Sequence, residues 1–356
     1  MSGTPHSLGE RLPTVDISAL LSRHACNGDR LVAPAAIDAA CRDVGFFGVV
    51  GHGLDPELLH RLDAAARSFF EEPAAVKAQV AMAEAGSAWR GWFPVGGELT
   101  SGTPDRKEGL YLGVDHDAEH PRVLAGTPLH GLNQFPAGHP DLRLAVTEWL
   151  DALRPVADAV MRGIALGLGL PATWFEEHLT ADPTILFRIF HYPPESDAHD
   201  ASTWGVGEHT DYGLLTLLAQ DDHGGLEVRH TDGTWIDVPA DPGVIVCNLG
   251  DMLERLTGGR YRSTPHRVRN MSGAARLSFP YFFDPSWDAT VPTLPIPAGV
   301  TRHASAGRWD DADVLAWTGT YGEYLTAKVA RVFPELFADV SGGASRSRSP
   351  SGDRPV

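Results

Sequence analysis

Between Ile185 and Phe283 the chain carries a succession of short apolar runs, ILFRIFHY, LLTLLAQ, GLEVRH, TWIDVP, GVIVCNLG, PHRVRN and RLSFPYFF. Each is strand-length, and turn residues separate them. Asp232-Gly233 is a hairpin signal between two of them. No helical stretch intervenes that could carry a parallel crossover, so the order predicts antiparallel sheets packed face to face, a sandwich or jelly roll. The fold class expected is mainly β with flanking helices around a jelly-roll core.

The flanks read differently. Asp55-Pro56 gives an N-cap followed by proline at the first helical position, introducing PELLHRLDAAARSFFEE. Helices are also expected over about 35–43 and, with a kink at Pro155, over about 141–168. Arg90 to Gly113, rich in Gly and Pro, predicts a loop or hairpin. A last helix is expected over about 318–333, its apolar face on the outside of the core. The expected division is therefore 1–180, a helical region with some strand; 181–300, the jelly-roll core; 301–340, a C-terminal helix; and 341–356, a disordered tail of Gly, Ser, Arg and Pro.

Lys and Arg number 29 against 46 Asp and Glu, a formal net charge of −17. Such a surface repels a phosphate backbone or an anionic membrane, which argues against nucleic-acid and membrane partners. No protein partner is indicated either. In so acidic a chain, an anionic ligand needs a few deliberately placed cations. Three cysteines, Cys26, Cys41 and Cys247, form no CxxC pair, and no apolar window reaches a membrane span; a cytoplasmic protein is expected.

Among 16 histidines, the question is which share a site. His-x-Asp is informative because residues two apart on a strand project from one face and can reach one ion. It occurs as His139-Pro-Asp141, His209-Thr-Asp211 and His230-Thr-Asp232. Asp141 is explained as a first-turn acid of a helix, and Asp232 by its turn. The middle pair lacks such an excuse. His266 opens a strand-like run 57 residues on (266 minus 209), enough chain to return beside it. Two imidazoles and one carboxylate leave open positions on a metal, the arrangement of non-haem iron(II) oxygenases. Ten residues further, Arg276-Leu-Ser278 places a guanidinium and a hydroxyl on one strand face, suited to a carboxylate.

With EHTDYGLLTLL, GGLEV, WIDVP, CNLGDMLERLTGGRYRSTPHRV and RLSFPYFF in this order, preceded by LPTVDISALL and CRDVGFFGVVGHGLDPELLHRL, the chain resembles the isopenicillin N synthase-like family of iron(II)- and 2-oxoglutarate-dependent oxygenases. The resemblance covers most of the chain. It implies a double-stranded β-helix, iron(II) on His209, Asp211 and His266, and 2-oxoglutarate on Arg276 and Ser278, with Tyr192 assisting. It also implies O2 as co-substrate and ascorbate as a stimulant. Phe190 departs from the asparagine that many plant members carry. Asn248 matches a family residue near the metal.

The expected activity is hydroxylation of a small organic metabolite, with desaturation or ring closure open, giving succinate and CO2. Arg188, Trp92, Phe93, Trp204 and Phe283 are the candidates for the substrate pocket, with Trp89 and Arg90 beside them. Two rivals remain at this point: an oxidase without 2-oxoglutarate, of the isopenicillin N synthase or aminocyclopropane-carboxylate oxidase type, and a non-catalytic metal-stabilised binding protein.

Overall fold

The computed structural model describes residues 12–22, 29–194, 204–241, 243–294 and 313–334; the tail expected over 341–356 lies outside them. Twelve strands form two sheets among these residues. They are β1 (Thr14–Asp16), β2 (Phe46–Val50), β3 (Gly91–Phe93), β4 (Glu108–Gly113), β5 (Pro183–Tyr192), β6 (Val206–His209), β7 (Leu215–Gln220), β8 (Leu226–Arg229), β9 (Trp235–Val238), β10 (Ile245–Leu249), β11 (His266–Val268) and β12 (Arg276–Ser286). The large sheet runs β1-β2-β10-β7-β12-β5-β4-β3, and the small one β6-β11-β8-β9. All pairs are antiparallel except β1 with β2.

Each apolar run of the sequence becomes a strand, and Asp232-Gly233 closes the β8–β9 hairpin, with Gly233 at φ +89°. The Gly-rich stretch after Arg90 forms the β3–β4 pair. Four strands from the first 113 residues extend the same sheet that holds β5, β7, β10 and β12.

Helices cover the sheet: α1 (Asp29–Asp43), α2 (Pro56–Phe70), α3 (Pro140–Gly167) and α4 (Tyr321–Val332). Asp55 caps α2, its side chain accepting from Glu57 N at 3.0 Å. In α3, Leu142, Val146, Trp149, Leu153, Val156, Val160 and Ile164 are buried at helical spacing, each worth roughly 1.5–3 kcal/mol of removed apolar surface. The helix is one element with Pro155 inside it, on its exposed face, where the missing N–H leaves a carbonyl in reach of water. Helix α4 begins at a capping box, Thr320 and Glu323, and it does more than cover the core: Leu325 reaches the central cavity.

Candidate metal centre and active site

Strands β6 and β11 pair so that His209 stands directly opposite His266, with ring centroids 4.2 Å apart. Alternation predicts Asp211 on the strand with His209, but β6 ends at His209. Asp211 lies in the loop after β6, and its position is set by neighbours instead. Its Oδ2 accepts from Thr216 Oγ1 at 2.5 Å and from Asn248 Nδ2 at 2.6 Å. These bonds leave Oδ1 aimed at both histidines, 3.9 Å from each Nε2. The other ring nitrogens are engaged, His209 Nδ1 by Gly207 O at 2.8 Å and His266 Nδ1 by Thr264 O at 3.1 Å.

Three donor atoms thus lie within 4.8 Å of one another, with the outward nitrogen of each imidazole fixed by a carbonyl, the orientation a metal-binding histidine needs. Burial, reinforced by His266, holds His209 down to about 3, so its imidazole stays neutral and available as a ligand. Asp211 is held below the ordinary carboxylate range; its burial opposes this, but the two histidines and the Asn248 and Thr216 bonds outweigh it.

The same cavity contains Arg276, Ser278, Pro280, Phe282 and Asp284, the alternate residues of β12, and Leu186, Arg188, Phe190 and Tyr192, those of β5. Arg276 is fully buried. Its Nε donates to Gly224 O at 2.5 Å and its Nη2 to Gln220 Oε1 at 3.1 Å, while Nη1 has no partner among the described residues. A buried guanidinium N–H left unpaired is costly, and a carboxylate in the cavity would satisfy it. Tyr192 lies under the guanidinium, ring centroid 4.7 Å from Cζ, and its hydroxyl meets Ser278 Oγ at 3.4 Å.

The opposite end is polar in another way. Arg188 stacks on Tyr111 at 4.1 Å and Phe282 at 4.9 Å, with Glu98 Oε1 3.8 Å from its Nη1. Glu98 is engaged by Tyr111 Oη and by Lys107 Nζ, the latter at 2.7 Å, and Lys107 also pairs with Asp105. Burial works against the Lys107 charge, but Asp105 and Glu98 override it and push the ammonium up to about 12. Burial also pushes Asp284 up to about 7, against the bonds from Tyr321 Oη and Leu214 N.

Of the residues expected at the pocket, Arg188 lines this cavity and the others do not. Phe283 points to the opposite face of β12, under Arg154 of α3; period-two counting from Arg276 would have named Phe282 instead. Trp92 donates to Glu108 at 2.8 Å, and with Phe93 it borders a separate cavity near Phe333. Trp204 stacks on Arg267 and Arg269. Trp89 is buried in the core, and Arg90 borders another cavity. Glu98, Lys107 and Tyr212 also line the cavity: no spacing rule links the β3–β4 connection, which carries Glu98 and Lys107, to β5, whereas Tyr212 follows Asp211 directly and adjacency would have named it.

Two family models match, the 2OG-Fe(II) oxygenase superfamily over residues 183–285 and the non-haem dioxygenase in morphine synthesis N-terminal region over residues 12–138. A probable iron/ascorbate oxidoreductase of Dictyostelium discoideum is 43% identical, covering 92% of this chain and 96% of its own. The chain belongs to the 2OG-Fe(II) oxygenase superfamily. A homoarginine-6-hydroxylase of Glycine max is 36% identical over 91% of the oxygenase and 98% of that protein. The crystal structure of a full-length Neurospora crassa protein in complex with alpha-KG superposes with a TM-score of 0.73 at 26% identity, covering 91% of this chain and 98% of that one. The oxygenase is therefore a 2-oxoglutarate-dependent dioxygenase that uses iron(II), 2-oxoglutarate and O2 on a small molecule, and its two sheets are a double-stranded β-helix core. No helix among the described residues is long and apolar enough to cross a membrane.

Proposed function

We propose that the enzyme hydroxylates a small organic acid, with iron(II) on His209, Asp211 and His266, the far carboxylate of 2-oxoglutarate on Arg276 and Ser278 beside Tyr192, and the substrate's acidic group toward Arg188. The observation that carries this reading is the unpartnered Nη1 of Arg276 in the cavity where Asp211 Oδ1 faces two free imidazole nitrogens. Iron(II) with 2-oxoglutarate supplies oxidative attack on a C–H bond at the expense of O2, releasing succinate and CO2.

The chain's own part is placement. Gly207 O and Thr264 O hold the imidazoles in one tautomer, and Thr216 and Asn248 hold the carboxylate. Gly224 O and Gln220 pin the guanidinium of Arg276. Arg188, braced between aromatic rings, holds the acid so that one carbon is presented to the metal. Leu325 and Phe282 contribute apolar wall that excludes water. In the test, small organic acids and their methyl esters are offered with 2-oxoglutarate, and succinate is measured. Acids should drive turnover where their esters fail; equal turnover of esters would remove the acid from the reading.

A further inference from the structure

Leu186 borders two cavities. One is the active site; the other, of about 130 Å³, is bounded by Arg90, His116, Arg122, His130 and Arg154, with Trp287 as an aromatic wall and Asp182 as its lining carboxylate. In a chain of net charge −17, this gathering of cationic and imidazole side chains is built, not a default of composition.

Arg90 is 2% exposed. Neutral carbonyls hold its terminal nitrogens, Leu112 O at 2.6 Å and Leu129 O at 2.9 Å, while its buried Nε has no partner among the described residues. Burial lowers this guanidinium to about 10, only partly countered by Asp115. Arg122 commits both terminal nitrogens to Asp288 on the surface, and Arg154 commits Nε to Asp158. Burial, with His116, Arg122 and Arg90 adding positive potential against the Pro128 carbonyl, holds His130 down to about 4. The imidazoles stack: His116 and His130 lie 5.0 Å apart at 30°, and His116 and His120 4.3 Å apart. Among the described residues, donor atoms that gather around one point as metal ligands belong to the triad and to Asp221, Asp222 and His223; in the stack His130 Nδ1 donates to Pro128 O at 2.8 Å, which leaves the ring N–H of His116 as the donor for an anion.

We propose that this cavity binds a small oxyanion, a carboxylate, sulfate or phosphate group, with Arg90 Nε and a His116 ring N–H as donors and the Arg122 guanidinium adding positive potential beside them. The anion arrives either as a free ion or as the remote end of the substrate, whose reacting part would lie beyond Leu186; the second source rests on the function proposed above, the first does not.

The test is calorimetric titration of sodium sulfate, against sodium chloride at matched ionic strength, into iron(II)-loaded, 2-oxoglutarate-saturated protein under anaerobic conditions, repeated on metal-free protein. One saturable site is expected, with the same constant in both preparations. It should weaken about tenfold or more in His116→Ala, the loss of one charge-assisted bond, and in Arg122→Ser, the loss of a neighbouring positive charge. Both positions are away from the fully buried core, and circular dichroism confirms their folding. Sulfate that competes with substrate-driven succinate formation identifies the substrate's end as the natural anion; sulfate that binds without competing identifies a free ion. Absence of saturable binding, or equal affinity in both variants, overturns the proposal.

Discussion

The proposed keto-acid end and the proposed substrate end of the central cavity are assembled by different means. At the first, His209 and His266 face each other across one strand pair, and Arg276 and Ser278 alternate on a single strand. Sheet register fixes these atoms; the carbonyls of Gly207, Thr264 and Gly224 hold the two imidazoles and Arg276 Nε, and the side chains of Thr216, Asn248 and Gln220 hold Asp211 and Arg276 Nη2. At the second, Glu98 and Lys107 come from the β3–β4 connection, Arg188 from β5, Phe282 from β12 and Leu325 from α4. An ionic network holds that end together, so it can vary without disturbing the sheet. The contrast implies that mutations at the first end should abolish chemistry with any substrate, whereas those at the second should change which substrate is taken.

The strongest challenge to that division is Asp211→Ala, which should lower iron occupancy and succinate formation by about a hundredfold or more. Full coupled turnover in this variant would dissolve the distinction. Next is Asn248→Ala, which frees Asp211 Oδ2 from one of its two bonds; iron affinity by anaerobic titration should fall about tenfold, with substrate preference intact. Arg188→Ala should weaken substrate about tenfold while iron and 2-oxoglutarate binding hold; a matching loss of keto-acid affinity would show that the two ends are not separable. Thr320→Ala, which removes the α4 cap, should cost about 1 kcal/mol in chemical denaturation and leave keto-acid binding unchanged.

The same contrast explains what could be read from the sequence. A period of two and turn chemistry are local, so the strands, the β8–β9 hairpin, the α2 cap and the Arg276/Ser278 pair were legible. Asp211 was found for a partly wrong reason, because its place depends on Thr216 and Asn248 and not on strand alternation. Phe283 is named for its place just past the Arg276/Ser278 pair, whereas alternation on β12 turns Phe282 to the cavity and Phe283 to the other face. Glu98 and Lys107 had no local signal: their meaning comes from a contact with β5 that only the folded sheet creates.

The most direct test of the account is anaerobic titration of 2-oxoglutarate into the iron(II)-loaded enzyme, following the visible charge-transfer band of a chelated keto acid, with Arg276→Ala in parallel. A band that saturates in the wild type and requires roughly 10- to 100-fold more keto acid in the variant, the loss of a charge-assisted pair, is the predicted result. Equal requirement in both proteins, or no band despite bound iron, would contradict it.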